Sequence, residues 1–339
     1  MFRLIDANLN RLSEGLRLLE DVARFILNDA ALSSRLKTLR HDLLSYTKSL
    51  RTTLLTARDS EGDVTAFTKE SMSRSDVNEV VTANARRVTE SLRVLEEFAK
   101  LPDVSLDPMK FKRARFAIYD IERELSGKVS RRYKRIEGLY VIIDREALGA
   151  RDEVDACRQA IRGGAKVIQL RDKVQGKSAL LSSAMKLKEI CAPSAIPFIM
   201  NDALDIALAS GADGLHLGQK DIPVSVARRL LPIDKLIGCS TTTIQEASKA
   251  EADGADYVAV GSIYPTQSKS DTTVVGLGRL REIREAISLP IVAIGGINAG
   301  NARAVIDAGA DAVAVISAIL ASDNIEQATR RIAQRLEAN

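Results

Sequence analysis

The segment GADYVAV at residues 254–260 decides the fold of the C-terminal half of the chain. A glycine of the kind that ends helices leads directly into a short, continuous apolar run, which is typical of a strand buried on both faces of a parallel sheet. The same Gly-Ala pair precedes three further apolar runs, at residues 164–165, 211–212 and 309–310. The sequence therefore predicts a repeated unit in which a helix passes into a buried strand.

Eight apolar runs follow one another from residue 138 onward. They are LYVII (139–143), KVIQL (166–170), PFIM (197–200), GLHL (214–217), LIGCS (236–240), DYVAV (256–260), PIVAI (290–294) and AVAVI (312–316). Amphipathic helical stretches separate most of them, and eight such units predict an α/β fold, a (β/α)8 TIM barrel, over residues 138–339. A doubly wound sheet would usually carry fewer strands, and the G-x-G at 276–278 lacks the preceding strand of a dinucleotide site.

Residues 1–130 show a different, all-helical pattern. Apolar residues recur every three or four positions from Ile5 to Ile26, which marks one face of a long helix. The motif that begins at Ala7-Asn8 returns at Ala83-Asn84, and a second helical stretch follows each copy, at about 31–56 and 108–127. We predict an N-terminal domain built from a duplicated helical hairpin, with a basic linker at 131–137 before the barrel.

Polar side chains interrupt the apolar stripe of this duplicated domain or lie at its edge. A buried polar group is costly unless it has a partner, so two interpretations stay open. One is a hydrogen-bond network that ties the repeats together, and the other is a ligand pocket between them. The residues concerned are Asn8, Arg11, Asn84 and Arg87, with Arg40 and His41 from the intervening helix.

Composition narrows the class of protein. The chain has 339 residues, a net charge of +4 and no apolar run of the ~20 residues that a membrane span needs. Cys157, Cys191 and Cys239 are far apart, so neither a disulfide framework nor a zinc site is predicted. Basic side chains alternate with acidic ones and no RNA-binding motif is present, which argues against nucleic acid. We expect a cytoplasmic, soluble protein that acts on small molecules; a homo-oligomer stays open.

Polar side chains follow most of the predicted strands, at the end of a TIM barrel where active sites lie. Gly295-Gly296 and Ile316-Ser317 can present backbone N–H groups to an anion, and barrels often bind phosphate after strands 7 and 8. The other candidates are Gln169, Arg171, Lys173, Asn201, Asp202, His216, Asp221, Ser240, Thr266, Ser268 and Lys269.

These residue types suit a magnesium–diphosphate ester with a second phosphorylated partner. Arg171, Lys173 and Lys269 supply cations, while Asp202 and Asp221 are the hard oxygen ligands that Mg²⁺ takes beside substrate phosphates. Taken singly, each aspartate could cap a helix, and His216 could be a hydrogen-bonded core residue. Their coincidence at one rim favours a functional site.

Residues 138–320 resemble the thiamine-phosphate synthases, across nearly the whole predicted barrel. The motifs that carry the resemblance are Q-x-R-x-K from Gln169, N-D from Asn201, H-L-G-Q-x-D from His216, G-x-S from Gly238, Y-P-T-x-S-K from Tyr264, and G-G-I from Gly295 with a late Ile316-Ser317. The family usually has threonine where this chain has Ser268, which keeps the hydroxyl and loses a methyl group.

The resemblance implies that the barrel is a transferase. By this resemblance, it would join hydroxymethylpyrimidine diphosphate to thiazole phosphate, or its carboxylated form, and release pyrophosphate by a dissociative reaction. By the family pattern, Mg²⁺ is held by Asp202 and Asp221. The departing diphosphate is neutralised by Arg171, Lys173, Asn201 and Lys269. The pyrimidine and diphosphate are oriented by Gln169 and Ser240, and the thiazole phosphate is bound by Thr266, Ser268, Gly296, Ile316 and Ser317.

The helical half resembles the domain fused ahead of some thiamine-phosphate synthases, through the motifs A-N-x-x-R-x-x-E-G-L-R-x-x-E-D-x-A-R-F (Ala7 to Phe25) and L-R-H (Leu39 to His41). That domain is associated with hydroxymethylpyrimidine-phosphate kinase activity, although the sequence carries no P-loop. The alternative is a packing or oligomerisation module. For the barrel, the alternatives are a tautomerase-like phosphate-binding isomerase and a sensor without activity.

Overall fold

The computed structural model describes residues 1–58, 73–132, 136–266 and 273–337. The chain forms two units, residues 1–133 and 134–339, each with its own hydrophobic core. Among the described residues, no helix is both long enough and apolar enough to cross a membrane.

The first unit is entirely helical. Its elements are α1 (Phe2–Asp21), a π-helical turn (Val22–Ile26), α2 (Ala30–Tyr46), a 3-10 turn (Lys48–Leu50), α3 (Arg51–Thr56), α4 (Val77–Phe98) and α5 (Pro108–Arg132). Helix α1 packs against α2 and α4, and α4 packs against α5. The apolar stripe buries Leu12, Leu16 and Leu19 from α1 against Val88 and Leu92 from α4.

Two helix bounds differ from the sequence prediction. The stretch expected at 31–56 is broken after Tyr46, where the Thr47 hydroxyl donates to the carbonyls of Leu43 and Leu44, at 3.3 and 3.2 Å. A side-chain hydroxyl that bonds the preceding turn competes with regular helix geometry. Helix α5 continues to Arg132, so the first two residues of the expected linker are helical.

The second unit is a closed barrel of eight parallel strands in sequence order, β1-β2-β3-β4-β5-β6-β7-β8, with helices around it. The predicted fold class is therefore confirmed. The strands are β1 (Gly138–Asp144), β2 (Val167–Arg171), β3 (Phe198–Asn201), β4 (Gly214–Leu217), β5 (Leu236–Thr241), β6 (Tyr257–Val260), β7 (Ile291–Ile294) and β8 (Ala312–Val315).

Helices connect the strands along the outside of the barrel. They are α6 (Arg145–Leu148), α7 (Glu153–Arg162), α8 (Lys177–Cys191), a 3-10 turn (Ala192–Ser194), α9 (Leu204–Ala209), α10 (Val224–Leu230), α11 (Ile244–Ala252), α12 (Gly276–Ala286), α13 (Ala302–Asp307), α14 (Ser317–Leu320) and α15 (Ile325–Glu337). Residues that alternate along each strand face either these helices or the barrel interior, which forms a second, smaller core.

The four Gly-Ala pairs end helices as predicted. Gly164, Gly211, Gly254 and Gly309 all have φ between +68° and +105°, the left-handed region that glycine tolerates best. The alanine after each glycine donates its N–H to the carbonyl five residues earlier, for example Ala255 to Ala250 at 2.9 Å. This is the hydrogen bond that closes a Schellman turn.

An aspartate follows three of these pairs and clamps the neighbouring strand. Asp213, Asp256 and Asp311 each accept a hydrogen bond from the backbone N–H at or next to the start of β3, β5 or β7, at 3.0, 2.7 and 2.8 Å. Each also forms an ion pair with a basic residue of the preceding outer helix, Lys188, Arg228 or Arg284. The clamps lie at the amino ends of the strands and fix their register there.

Candidate active site

Two cavities open at the carboxyl ends of the strands. The outer cavity, about 180 Å³, is lined mainly by residues that follow β5, β6, β7 and β8. The inner cavity, about 70 Å³, reaches into the barrel between Tyr140, Gln169, His216 and Tyr257. Ser240 lines both cavities, so a ligand that filled both would pass beside its hydroxyl.

The structure brings most of the candidate residues to these two cavities. Lining the outer cavity are Ser240, Thr266, Gly296, Ile316 and Ser317. Lining the inner cavity are Gln169, Arg171, Asn201, Ser240 and Ile316. Ser268 and Lys269 lie outside the described residues. These lining residues come from six different strands or the segments after them and meet at one mouth.

The loop after β6 packs against the glycine pair after β7. Tyr264 donates its backbone N–H to the carbonyl of Gly295 at 3.0 Å. A Cβ on Gly296, whose φ is +65°, would lie 2.5 Å from the carbonyl oxygen of Pro265. Glycine is required at 296 because any other side chain would collide with this loop. The packing holds the loop that carries Thr266 against the outer cavity.

Lys173, Asp202 and Asp221 form a charged group that lines neither cavity, although Asp202 directly follows Asn201 of the inner cavity. Lys173 Nζ lies 3.5 Å from Asp202 Oδ2, and the backbone N–H of Gly218 donates to Asp221 Oδ2 at 2.7 Å. Burial raises the pKa of the Asp202 carboxyl, and the adjacent Asp221 carboxyl raises that pKa further. Two carboxylates therefore face each other, with one lysine as partial compensation.

Neither aspartate caps a helix, which was the structural alternative for both. The N-cap of α9 is Ala203 and the N-cap of α10 is Pro223, and neither helix has a side-chain cap hydrogen bond. Asp202 has a φ of +62°, an uncommon backbone conformation for a non-glycine residue. The carboxylates are thus directed to each other rather than to helix ends.

Asp144 is a site residue that the sequence analysis missed. It ends β1, is 4% exposed, and accepts a hydrogen bond from Arg171 Nη1. Its other oxygen accepts from the backbone N–H of Ala147 at 3.0 Å, at the start of α6. A carboxylate held in this way fixes the direction of the guanidinium at the inner cavity. The available signal was its position, because Asp144 follows a predicted strand as the other candidates do.

A buried chain of hydrogen bonds crosses the barrel interior below Ser240. Gln169 Nε2 donates to the Tyr140 hydroxyl at 2.7 Å, and the hydroxyls of Tyr140 and Tyr257 are 3.0 Å apart. The Tyr257 hydroxyl is 3.1 Å from His216 Nδ1, and His216 Nε2 is 2.9 Å from Ser240 Oγ. His216 is therefore a buried, hydrogen-bonded residue, but one whose partner lines both cavities.

Gly238 makes room for this chain. It lies beside Tyr257 in the pairing of β5 with β6, and a Cβ there would lie 2.1 Å from the Tyr257 Cζ atom and 2.4 Å from its hydroxyl oxygen. The ring of Tyr257 thus rests on bare backbone. Tyr140 and Tyr257 were also missed from the sequence, because nothing in an apolar strand marks which hydroxyls will meet inside a barrel.

In the helical unit, the two interrupting asparagines form hydrogen bonds within their own helices. Asn8 Nδ2 donates to the carbonyl of Leu4 at 2.9 Å, and Asn84 Nδ2 donates to that of Val80 at 2.8 Å, so each amide bonds within its own helix. Arg11, Arg87 and His41 are exposed. The two amides are thus satisfied within their own helices, and a ligand pocket between the repeats stays a prediction.

A groove of about 740 Å³ does lie on this unit, and Arg40 is the residue it shares with the predicted set. Its other lining residues include Arg17, Asp21 and Phe25, the last within the π-helical turn. Arg40 Nη2 also donates to the buried Glu20 at 2.9 Å. In the second repeat, Arg115 pairs in the same way with Glu96, at 3.0 Å.

Comparison with known proteins extends this description. The fold and its mouth define a (β/α)8-barrel enzyme with its active centre at the carboxyl ends of the strands. The family model for thiamine monophosphate synthase matches residues 139–319, and the ThiD2 family model matches residues 3–124. The chain belongs to the thiamine-phosphate synthase family, which is a family of transferases.

Individual relatives cover either the whole chain or the barrel. The thiamine-phosphate synthase of Thermosynechococcus vestitus is 40% identical over 98% of this chain and 94% of its own length. That of Shouchella clausii is 46% identical over 200 residues, which are 59% of this chain and 96% of its own. A solved structure, the thiamine phosphate pyrophosphorylase from Pyrococcus furiosus, is 39% identical, with a TM-score of 0.55 over 59% of this chain and 95% of that one.

Proposed function

We propose that the barrel joins hydroxymethylpyrimidine diphosphate to thiazole phosphate, giving thiamine phosphate and pyrophosphate. The observation that carries this proposal is the meeting of a cation, two amides and hydroxyls at one mouth, with a carboxylate pair that begins next to Asn201, in a chain of this family. The Shouchella clausii relative supports assigning the coupling to the barrel. It is a thiamine-phosphate synthase like the full-length relatives, yet it is only about as long as the barrel unit.

The proposed reaction breaks the bond between the pyrimidine methylene carbon and the diphosphate oxygen, and then forms a bond from that carbon to the thiazole nitrogen. Negative charge grows on the departing diphosphate, so groups aimed at it lower the barrier most. We assign Arg171, Lys173 and Asn201 to the oxygens of the departing diphosphate. Lys269 joins this set as an expectation from the motif. No general base is needed, because the attacking nitrogen carries no proton to remove.

The substrates would divide between the two cavities. We assign the pyrimidine and diphosphate to the inner cavity, beside Gln169 and Ser240. We assign the thiazole phosphate to the outer cavity, where Thr266 and the backbone at Gly296, Ile316 and Ser317 face a common space. Ser268 belongs to this set by motif only. Because the cavities share a wall, the two reacting atoms would meet near Ser240.

Asp202 and Asp221 fit a magnesium ion. Among the described residues, no cluster of three or more histidine, cysteine or acidic side chains could form an all-protein metal cage. Mg²⁺ commonly binds through one or two carboxylates together with substrate phosphates and waters, which is the donor set available here. Burial and the adjacent Asp221 carboxyl both raise the pKa of Asp202, so a cation beside the pair would stabilise the ionised form. When bound, the ion would supply charge stabilisation to the diphosphate.

For the helical unit, we propose a kinase that converts hydroxymethylpyrimidine phosphate to the diphosphate with ATP. The match of residues 3–124 to the ThiD2 family supports an activity of its own for this unit. The competing proposal is a packing or oligomerisation module. The proposed substrates are small molecules, and the three buried free cysteines suit a reducing cytoplasm.

Parallel reactions with the full chain test both proposals. One contains Mg²⁺, thiazole phosphate and the pyrimidine diphosphate; the other contains pyrimidine monophosphate and ATP in place of the diphosphate. We expect thiamine phosphate in both. Product from the diphosphate alone would reject the kinase. Product from neither, with both thiazole forms tried on folded protein, would reject the synthase and favour the isomerase or the sensor.

A variant that disables the barrel separates the two units within the full chain. Asp202→Asn should block coupling but still convert pyrimidine monophosphate and ATP to the diphosphate, read directly by phosphorus NMR. Loss of both activities together would contradict a separate kinase centre in the helical unit.

A further inference from the structure

The buried hydrogen bonds that lead from Gln169 to Ser240 all donate in one direction, and Gln169 sets that direction. We infer that Gln169 orders the hydroxyls of Tyr140 and Tyr257 and the tautomer of His216, so that Ser240 presents its hydrogen to the ligand. His216 and the two tyrosines are then positioning residues for the coupling reaction. The argument follows the hydrogens one bond at a time.

The first bond fixes the role of Tyr140. Gln169 Nε2 is an amide nitrogen and can only donate, so the Tyr140 oxygen accepts at 2.7 Å. The hydrogen of Tyr140 is then free for its other close partner, the Tyr257 oxygen at 3.0 Å. Tyr140 is 1% exposed and Gln169 2%, so bulk water does not compete for these positions.

The next bond fixes the tautomer of His216. Tyr257 accepts from Tyr140, and its own hydrogen therefore points to His216 Nδ1 at 3.1 Å. Burial raises the pKa of both phenols well above the usual value, so neither loses the hydrogen on which this order depends. A nitrogen that accepts carries no hydrogen, and the neutral imidazole must hold its hydrogen on Nε2.

The last bond reaches the ligand cavities. His216 Nε2–H donates to Ser240 Oγ at 2.9 Å. This bond occupies one acceptor position of the Ser240 hydroxyl, and the hydrogen of that hydroxyl takes no part in the buried series of hydrogen bonds. Ser240 lines both cavities, so that hydrogen is available to an acceptor atom of a bound ligand. A phosphate oxygen or an unprotonated ring nitrogen meets that requirement, whereas an N–H or O–H group does not.

The opposite order would give the opposite selectivity. If His216 carried its hydrogen on Nδ1, Nε2 would accept from Ser240, and the serine would face the ligand with lone pairs alone. Lone pairs repel a phosphate oxygen. The ordered chain is thus a device by which one buried amide makes Ser240 a donor toward an anionic leaving group, with no proton transferred.

Nitrogen NMR of the full chain tests this order without any change to the barrel. The chain has two histidines, so protein labelled with ¹⁵N-histidine gives two imidazoles, and His41→Gln identifies which signals belong to His216. We expect Nδ1 of His216 to be unprotonated and Nε2 to be protonated. A hydrogen on Nδ1, alone or together with one on Nε2, would overturn the inference.

Kinetics of the variants test the consequence, and this part rests on the proposed coupling activity. Tyr257→Phe removes the donor to Nδ1; we expect the Nδ1 signal to shift and kcat to fall roughly tenfold, with KM for thiazole phosphate little changed. Tyr119→Phe, an exposed tyrosine of the helical unit, is the matched control. A kcat for Tyr257→Phe equal to that of the control would overturn the positioning role.

A histidine pair of variants guards against simple misfolding. His216→Gln can place an amide N–H near the Nε2 position, whereas His216→Leu has similar volume and no donor. We expect the glutamine variant to recover most of the rate lost in the leucine variant, and equal rates would contradict the inference. If the wild-type protein forms no product at all, the coupling proposal fails. The NMR measurement still decides the direction of the hydrogen bonds between Gln169 and Ser240.

Discussion

The helical unit and the barrel bury polar side chains to different ends. In the helical unit, Asn8 and Thr47 each donate to a carbonyl of the preceding helical turn, so each group is satisfied by its own segment. In the barrel, Asp144 and Gln169 are equally buried, but they bond to Arg171 and to the chain that leads to Ser240. Burial alone therefore does not distinguish a structural polar group from a functional one. The direction in which its partners lead does.

The largest effect that this contrast predicts is at the carboxylate pair. Asp202→Asn should lower the coupling rate roughly 1000-fold, or about 4 kcal/mol, at saturating Mg²⁺. The same substitution should leave the free energy of unfolding equal or raise it. Because the folded state raises the pKa of Asp202, folding binds a proton there, and stability falls as pH rises through that pKa.

Asp202→Asn should therefore unfold at an equal or higher temperature than the wild type in EDTA at neutral pH. Steady-state rates and thermal melts monitored by circular dichroism measure the two effects. The control is Asp205→Asn, at an exposed aspartate on α9. It should change the coupling rate by no more than about twofold and leave the unfolding temperature nearly unchanged. A destabilised Asp202→Asn variant would mean that the carboxylate has a structural role.

The next effect is in the helical unit, at the first buried ion pair. Arg40→Met leaves Glu20 buried without its cation and should cost about 3 kcal/mol of stability. Adding Glu20→Met should restore most of the loss, since a paired charge is replaced by apolar contact. Hydrogen exchange of peptides from α1 and α2, measured by mass spectrometry in the full chain, localises the effect.

The second repeat provides the matched variant. Glu96 also accepts from Arg93 at 2.9 Å, so Arg115→Met should cost only about half as much. Coupling from the supplied pyrimidine diphosphate should stay within about twofold of wild type in both variants. A large fall in that rate would show that the helical unit contributes to the barrel reaction.

A smaller effect is expected at Asp144. Asp144→Asn keeps the acceptor for the Ala147 N–H but removes the negative charge opposite Arg171. We expect kcat/KM to fall roughly tenfold, because the guanidinium loses a charge-assisted partner. Asp152→Asn keeps the N-cap acceptor of α7 at a residue that lines neither cavity, and it should leave kcat/KM unchanged. Equal values for the two variants would remove Asp144 from the site.

The smallest effect is expected at the interrupting asparagines. Asn8→Ala and Asn84→Ala each remove one hydrogen bond to a carbonyl of the same helix, so each should cost about 1 kcal/mol or less. Chemical denaturation measures the free energy of unfolding. A cost above ~2 kcal/mol would instead indicate the network between repeats that the sequence left open.

The sequence was most informative where backbone chemistry repeats. The Gly-Ala pairs and apolar runs predicted every strand, because a helix end and a strand buried on both faces each demand specific residues. Position at the end of a strand also brought Arg171, Asn201 and Ser240 correctly to one mouth. Such arguments need only the order of the elements.

The side-chain contacts could not be predicted in the same way, because they depend on the direction in which each side chain points. Helical periodicity placed Asn8 on the right face, but it could not show that its amide turns back to Leu4. Tyr140 and Tyr257 lie on different strands, and their meeting depends on barrel closure and on the absence of a Cβ at Gly238. Contacts between side chains distant in sequence follow from the closed structure and not from local pattern.

The aspartate clamps give the barrel a modular construction. Asp213, Asp256 and Asp311 lock one odd-numbered strand to the next even-numbered one, so the enzyme consists of strand pairs fastened at the face opposite its cavities. The fourth equivalent position holds Lys166, whose backbone alone bonds Leu139. Engineers could therefore exchange loops at the mouth while these fasteners preserve strand alignment. The pair β1–β2, which carries Asp144, Gln169 and Arg171, would tolerate such grafting least.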